Sequence, residues 1–447
     1  MQKHNLLTGS IPSHMLRLAL PSIAGMFSFT IFNLTDTYFV SQLGTNALAA
    51  MGFTFPVVMI VGGISSGMSS GAASLLSRAK GANDHHLMQR IATDGILLSL
   101  IFVMFISLIG IFSMDKVFTL LGADSDTLAL VKDYMLIWYS FVVLVVTPPV
   151  CDSCMRASGD MVRPFIVMIV CSVVNIILDP LLIHGYWIFP RLGIRGAALA
   201  TVIARLIGMI VTLSFTHFHH HLLSFEFNSK KEIFESWKNI LKIGLPSITV
   251  LFMPQLLRSV LTALVSSSGG TAAVAAIAVG TRVESFVTII TAGVGLSLIP
   301  IIGQNWGAEN YDRVYTTRKM AIKFALIYGV IVFALSIPLA KPVSRIFTTD
   351  EEVVLYSTHY LWIMIFGMIG LNITNWMSQA FTTIGRPIWT VVLNVIGILV
   401  IVLPLAVLGK MIYSYIGILL GICLGQILVG IGAIILSKNK MNPNTVS

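Results

Sequence analysis

Long apolar runs separated by short polar segments dominate the chain. Twelve of these runs are long enough to cross about 30 Å of hydrocarbon as helices, and several exceed that length, so tilted or protruding helices are expected. We therefore predict an all-α integral membrane protein with twelve transmembrane helices. The predicted spans are 16–43, 47–77, 91–113, 127–147, 164–184, 196–216, 240–266, 272–303, 320–340, 353–381, 388–409 and 415–437.

The first span, Leu16–Leu43, contains a single acid, Asp36, with Asn33 three residues before it. An ionisable residue inside a membrane helix costs about 2.5–3.5 kcal/mol on insertion scales, and it usually faces a cavity on an ion or substrate path. Pro21 lies earlier in the same span. Because proline removes a backbone hydrogen bond, this position is a predicted hinge.

Several short motifs occur twice at a nearly constant spacing. Leu20–Ile23 recurs as Leu245–Ile248, and Gly81-Ala82 recurs as Gly307-Ala308. These repeats begin or follow corresponding spans in the two halves of the chain. An internal repeat of this kind is typical of secondary transporters.

The repeat predicts two pseudo-symmetric six-helix lobes, residues 1–225 and 226–447. Six spans are an even number, so the two lobes share one orientation, with a symmetry axis along the membrane normal and the substrate path between them. The hydrophilic stretch from His217 to Lys242 is then a cytoplasmic linker.

Composition agrees with a membrane protein, since 56% of the 447 residues are hydrophobic and only 11% are charged. The net charge of +9 comes from basic residues in short loops, so membrane topology explains it better than nucleic-acid binding. With the N-terminus inside, eighteen Lys and Arg residues fall in cytoplasmic segments against six in outer loops. This asymmetry predicts that both termini are cytoplasmic.

Span 5 carries Asn175 and Asp179, which are four residues apart and therefore share one helix face. Together with Asn33 and Asp36, they give the N-terminal lobe two amide oxygens and two carboxylates. Such hard oxygens suit Na⁺, and the carboxylates equally suit a proton. The alternative is that the acids only make packing hydrogen bonds or pair with Arg205.

The C-terminal lobe has a different set of polar residues. Its acid is Glu284 on span 8, two residues from Arg282 and accompanied by Arg258 on span 7. We interpret this group as a structural ion pair rather than a second coupling site. Asn372 and Asn375 on span 10 are further candidates to line the cavity.

Enzymatic and ATP-driven functions are disfavoured. The pair Cys151 and Cys154 lacks a second pair, and the histidines at 217–221 lack neighbouring ligands, so both are interpreted as structural. No catalytic cluster is evident at membrane depth, and no G-x-x-x-x-G-K-[ST] loop occurs. We expect no enzyme activity and no cofactor.

The first span carries the strongest motif. Its residues Asn33–Val40, followed by Leu43-Gly44 and Ala47–Ala50, resemble the signature of the multidrug and toxic compound extrusion (MATE) family, and Gly193–Thr201 adds to the likeness. The resemblance covers the whole chain. It implies a bacterial, V-shaped transporter in the cytoplasmic membrane that expels organic, often cationic, compounds in exchange for Na⁺ or H⁺, and so contributes to antibiotic resistance.

Within that family, one branch has its acids on spans 7 and 10, where this chain has Gln255 and Asn372. The match is instead to the DinF-like branch. That resemblance implies coupling-site residues in the N-terminal lobe and a bending first span. The positions concerned are Asp36, Asn175, Asp179, Thr201 and the hinge Pro21.

A flippase or exporter of a lipid-linked or polyanionic substrate is the alternative. It would line its cavity with several basic residues, whereas only Arg205, Arg258 and Arg282 lie deep in spans. We therefore expect a monomer whose partners are small organic cations and the lipid bilayer. We expect no nucleic-acid partner. Because asparagine oxygens accompany the acids, we favour Na⁺ at Asp36, Asn175 and Asp179 slightly over H⁺.

Overall fold

A computed structural model describes residues 5–224 and 230–441 of the chain. Every regular element in these ranges is helical. The helices are α1 (Ile11–Ser41), α2 (Thr45–Gly81), α3 (His85–Leu120), α4 (Ser125–Ser140), α5 (Val143–Ala157), α6 (Val162–His184), α7 (Ile194–Ser214), α8 (Lys230–Ser247), α9 (Thr249–Gly307), α10 (Tyr311–Phe347), α11 (Glu351–Thr383), α12 (Ile388–Val391) and α13 (Leu403–Lys440), with π-helical turns at Phe215–His219 and Val392–Val402.

The prediction of twelve spans is confirmed for the described ranges. Nine continuous helical stretches there are long and apolar enough to cross a membrane, and α4 with α5 forms a tenth span bent by 49°. Two of the nine are double spans. In α9 the backbone leaves the helical conformation at Gly270, and in α13 it does so at Tyr413 and Ser414.

These two breaks fall where the sequence predicts loops, between spans 7 and 8 and between spans 11 and 12. Gly270 has a φ of 61°, a conformation that glycine adopts without steric cost. Gly270 is the only non-helical residue inside α9, so the helical stretch continues on both sides of it. A single non-helical residue therefore separates the two predicted spans in α9.

Two compact units are present, Leu20–Leu245 and Met1–Ala19 with Pro246–Ser447, called here the N-unit and the C-unit. Their first border lies inside α1, one residue before Pro21. Their second border lies inside α8, directly before Pro246. The first border therefore falls directly before the repeated Leu-Pro motif, and the second falls within it. The predicted lobe border at 225 and 226 lies outside the described residues and stays a prediction.

Most of the described residues of the predicted polar linker are helical, in the π-helical turn Phe215–His219 and in α8. In α8, Ile240 is completely buried and Trp237 donates a hydrogen bond from Nε1 to the Asp94 carbonyl oxygen at 2.9 Å. Apolar residues at helical spacing among the lysines give α8 one apolar face, which packs into the core of the N-unit. The average composition of this segment is polar, but the positions of its apolar residues follow the period of a helix.

Helices α6 and α7 pack closely within the N-unit. A Cβ atom added to Gly196 would lie 2.4 Å from the carbonyl oxygen of Leu182. Since any side chain there would clash with backbone, glycine sets the distance between the two helices. This contact lies close to Asp179 on α6 and Thr201 on α7.

Candidate functional site

Helix α6 presents an amide and a carboxylate on one buried face. Asn175 and Asp179 are both fully buried, and the Asn175 Nδ2 donates to the Asp179 Oδ1 at 3.1 Å. The prediction that their four-residue spacing places them together is confirmed. The hydrogen bond orients the amide so that the Asn175 Oδ1 is turned away from the carboxylate.

Asp36 on α1 and Thr201 on α7 are buried in the same unit, with 7% and 8% of their surface exposed. The carboxyl groups of Asp36 and Asp179 are close enough to interact electrostatically. Two helices therefore bring two acids into one poorly solvated region, where like charges repel strongly.

Each of these residues has a buried oxygen without a hydrogen-bond donor among the described residues. The atoms are Asp36 Oδ1, Asn175 Oδ1, Asp179 Oδ2 and Thr201 Oγ1. Buried polar atoms are normally satisfied, because desolvation without a partner is costly. All four are hard oxygens, the ligand type that Na⁺ prefers, and the carboxylates are equally able to take up protons.

Arg205 does not neutralise Asp179, since no ion pair within 4.0 Å joins them in the described part of the chain. Its guanidinium carbon lies 5.1 Å from the centre of the Phe32 ring, in a cation–π contact. The alternative of a structural Asp179–Arg205 pair is therefore not seen.

Tyr134 on α4 is a member of this region that the sequence analysis missed. Its side chain is 5% exposed and interacts electrostatically with Asp36, Asp179 and Arg205. A phenol at this position is able to donate a hydrogen bond to an acid or accept one from it. One tyrosine in an apolar span carries no signal that distinguishes it from a membrane-interface residue.

Asn33 does not join the buried group. Its side chain is exposed, and its Nδ2 donates to the Phe29 carbonyl oxygen on its own helix at 2.7 Å. The expectation that Asn33 supplies an amide oxygen beside Asp36 is therefore wrong. Residues three apart are offset around a helix, and here only Asp36 points into the protein.

The predicted hinge residue Pro21 lies inside α1, which remains helical from Ile11 to Ser41. Proline lacks the backbone donor for one helical hydrogen bond, so the helix is weakened at this point while remaining continuous. Pro180 likewise lies inside α6, directly after Asp179.

The expected ion pair in the C-unit is wrong. Glu284 is 9% exposed and accepts a hydrogen bond from the Tyr360 hydroxyl at 3.1 Å, whereas Arg282 is exposed. Residues two apart point to opposite sides of a helix, which separates the two charges. Of the two asparagines, Asn375 lines a cavity of the C-unit and Asn372 is buried outside its lining.

No group of three or more His, Cys, Asp or Glu residues that could hold a metal ion occurs in residues 5–224 and 230–441. Cys151 and Cys154 are buried free thiols. In the His217–His221 segment, the His220 Nε2 lies 3.0 Å from the Asp160 Oδ2. Burial opposes ionisation of Asp160, but hydrogen bonds with His220 and Arg163 prevail and hold the pKa of this carboxyl well below its usual range.

Several known proteins are similar to this chain in sequence along most of its length. The MatE family model matches residues 21–181 and 246–408. The chain is 32% identical over 443 residues to the FAD transporter of Shewanella oneidensis, covering 99% of this chain and 97% of that protein. It is also 24% identical to the probable multidrug resistance protein YoeA of Bacillus subtilis, covering 81% and 79% of the two chains.

Solved structures give the same likeness. The Vibrio cholerae MATE transporter VcmN in the bent form superposes with a TM-score of 0.91 at 28% identity, covering 98% of each chain. The outward-facing conformation of a multidrug resistance MATE family transporter gives a TM-score of 0.89 at 24% identity, over 99% of this chain and 98% of that one.

Proposed function

Because the chain belongs to the MatE family of membrane transporters, we propose that it exports organic compounds by antiport against Na⁺ or H⁺. The ion would bind at Asp36, Asn175, Asp179 and Thr201. The observation that carries this proposal is that Asp36, Asn175, Asp179 and Thr201 each have a buried oxygen without a donor among the described residues, and that the two acids interact electrostatically. The ion is cargo here, so no resident cofactor is required.

The physical basis is charge repulsion. Two carboxylates in one buried region repel each other, and the region becomes more stable when a cation or proton arrives. Antiport requires that ion and substrate favour different conformations of the protein. Bending of α1 at Pro21 is the conformational change that we assign to ion binding.

The proposed substrates are drugs and other organic cations. The relatives named as multidrug exporters support this substrate range. The chain also contains 21 Met and 25 Phe residues. Flexible, polarizable methionine and aromatic rings suit the binding of chemically varied ligands.

A second candidate is export of a flavin nucleotide, favoured by the 32% identity to a FAD transporter along nearly the whole chain. FAD carries a diphosphate and is therefore an anion. Arg205, Arg258 and Arg282 form no ion pair within 4.0 Å among the described residues, so their guanidinium groups remain able to contact a phosphate. This candidate corresponds to the polyanionic alternative from the sequence.

We further propose that the protein is a monomer of the DinF-like branch in the bacterial cytoplasmic membrane, with both termini inside. The loop charge asymmetry supports this orientation. Since all four native cysteines are buried, an engineered cysteine gives a clean reading. A membrane-impermeant thiol reagent should label a cysteine at Lys116 in whole cells and leave one at Lys231 unlabelled. The reverse pattern would overturn the orientation.

The function is tested in proteoliposomes that contain the purified protein. Under imposed Na⁺ and H⁺ gradients, uptake or release of ethidium and of FAD is followed separately by fluorescence. Ethidium movement that depends on an ion gradient supports multidrug antiport, and FAD movement under the same gradient supports the flavin candidate. Movement of neither compound, in vesicles with verified protein, would contradict both.

A further inference from the structure

The C-unit encloses a cavity of about 260 Å³ between α9, α11, α13 and the π-helical turn Val392–Val402. Its lining includes one acid and one base, Glu284 and Arg258. Most of the remaining wall is apolar, with Met364 and Met368 on α11. The cavity is separate from Asp36 and its neighbours, which lie in the other unit.

The acid and the base line the cavity without touching each other. Glu284 accepts one hydrogen bond, from Tyr360, and interacts with Arg258 only electrostatically, since no ion pair within 4.0 Å joins them in the described residues. A buried carboxylate is stable only when a cation or several donors compensate its lost hydration. Arg258 is exposed and also has no carboxylate partner within 4.0 Å in the described ranges.

Two further observations indicate a site rather than a packing defect. The Gln426 Oε1 is buried without a hydrogen-bond donor in the described part of the chain, and this residue lines the cavity. The π-helical turn contributes Asn394 and Ile398 to the wall. Long π-helical segments are rare, and shorter ones are frequent at functional sites because they widen a helix locally.

The volume of the cavity and the two charged side chains in its lining together indicate which kind of ligand fits. Drug-sized ligands occupy about 300–1,000 Å³, so a cavity of about 260 Å³ takes a molecule smaller than a dye or a dinucleotide. Opposite charges held apart match a ligand that carries both an ammonium group and a carboxylate. The methionines and neighbouring aliphatic side chains match an apolar body, for which an aromatic ring is well suited.

We propose that this cavity binds a small zwitterion with an apolar body, of the size of an aromatic amino acid. Its ammonium group contacts Glu284 and its carboxylate contacts Arg258, while the Gln426 Oε1 accepts from a ligand N–H. The proposal does not rest on the proposed transport function. It concerns equilibrium binding to the C-unit and holds whichever ion drives transport.

The test is binding to the purified full-length protein in lipid nanodiscs, measured by equilibrium dialysis. Three probes share a phenyl ring: L-phenylalanine carries both charges, 2-phenylethylamine only the ammonium group, and 3-phenylpropionate only the carboxylate. We expect the wild-type protein to bind phenylalanine at least about tenfold more tightly than either single-charge probe, since each charged contact contributes on this scale.

Two variants test which side chain contacts each charged group of the ligand. Glu284→Gln should weaken phenylalanine about tenfold and leave 3-phenylpropionate unchanged, whereas Arg258→Gln should weaken phenylalanine and leave 2-phenylethylamine unchanged. Arg345→Gln is the matched control, because Arg345 is exposed, pairs with Glu351 and lies outside the cavity lining. It should bind all three probes like the wild type.

Several outcomes would overturn the proposal. Equal affinity of the wild type for 2-phenylethylamine and phenylalanine would make the cavity a simple cation site. Equal affinity for 3-phenylpropionate would make it an anion site, and absence of binding by all three probes would exclude the ligand class. These comparisons use the wild-type chain, so they remain decisive if a variant does not fold.

Discussion

At the scale of single residues, we expect Asp36, Asn175, Asp179 and Thr201, each with a buried oxygen that lacks a donor among the described residues, to make separable contributions to the proposed site. In the proposed site, the carboxylates of Asp36 and Asp179 would carry the charge that an ion compensates, whereas Asn175 and Thr201 would supply neutral oxygens. Loss of a carboxylate therefore changes the charge of the site, and loss of a neutral oxygen changes only its affinity. Substitutions should reproduce this distinction.

Asp36→Asn is expected to abolish ion-coupled efflux while the protein remains folded, because an amide keeps the shape of the side chain and removes its charge. Gradient-driven ethidium or FAD movement in proteoliposomes measures the effect. Asp115→Asn is the control, since Asp115 is exposed in an ion pair with Lys132 at 2.6 Å. Normal coupled transport by well-folded Asp36→Asn would rule out the assigned coupling site.

Asp160 gives a pH-dependent prediction outside the spans. Its Oδ1 accepts from the Val162 and Arg163 backbone N–H groups, and its Oδ2 faces His220 and Arg163. Because the pKa of Asp160 is lowered on folding, the stabilisation is complete above an unfolded pKa of about 3.9. It is lost as the pH falls through the folded pKa.

Asp160→Asn should therefore lower the free energy of unfolding by about 1–3 kcal/mol at pH 7, and the difference from wild type should shrink below about pH 4. Thermal unfolding in detergent at several pH values measures this change. Asp133→Asn, which removes a surface ion pair with Arg195, should have a smaller effect. A difference that grows as the pH falls would contradict the sign of the shift.

The four-residue spacing of Asn175 and Asp179 predicts neighbouring side chains correctly, whereas the three-residue spacing of Asn33 and Asp36 does not. The four-residue spacing of Asn175 and Asp179 is enough to place both side chains on one face. Tyr134 and the Glu284–Tyr360 contact depend on packing between helices far apart in sequence. No pattern within one span specifies such contacts.

At the scale of helices, Gly196 allows the close approach of α7, which carries Thr201, to α6, which carries Asp179. Gly196→Ala would bring a Cβ atom 2.4 Å from the Leu182 carbonyl oxygen, so the two helices must separate. We expect weaker ion-coupled transport and a destabilisation of about 1–3 kcal/mol, as for other overpacked sites. Ion titration of transport rate and thermal unfolding measure the two effects.

The control for this glycine is Gly52→Ala in α2. Nothing lies within 4 Å of an added Cβ there, and alanine favours a helix by up to about 1 kcal/mol over glycine. Gly52→Ala should therefore be neutral or slightly stabilising. If Gly196→Ala behaved in the same way, the close approach of α6 and α7 would not control the site.

The first helix is the predicted moving element. Pro21 lies within α1 beside the border between the N-unit and the C-unit. Pro21→Ala restores the backbone donor and favours a straight helix by up to about 3 kcal/mol. We expect slower transport with unchanged ion affinity. Pro338→Ala in α10, away from any unit border, is the control and should transport at the wild-type rate.

The helices themselves were more predictable than the segments between them. Span lengths follow from apolar runs, and the break at Gly270 coincides with a small-residue stretch between two such runs. The helix at the end of the linker is not evident from composition, because lysines dominate that segment. Its apolar face is defined by Trp237 and Ile240. An amphipathic helix of this kind is recognised by periodicity and not by average polarity.

At the scale of the whole molecule, the chain passes between the two compact units at both copies of the repeated Leu-Pro motif. The N-terminal segment belongs to the C-unit, where the Arg313 guanidinium donates to the carbonyl oxygens of Leu6, Thr8 and Gly9. The first residues of α1 are therefore anchored to one unit while Asp36 belongs to the other. Helix α1 therefore connects the C-unit to the unit that holds the proposed ion site.

We expect the coupling ion to be Na⁺, because of the types of oxygen at the proposed site. A proton needs one carboxylate, whereas Na⁺ must replace several waters, and Asn175 and Thr201 supply neutral oxygens beside the acids. With a Na⁺ gradient at equal pH and an uncoupler present, substrate efflux should persist. Asn175→Ala should require about tenfold more Na⁺ for the half-maximal rate, while Asn33→Ala, whose amide bonds to its own helix, should not. Efflux that stops with the uncoupler and ignores Na⁺ would identify protons as the coupling ion.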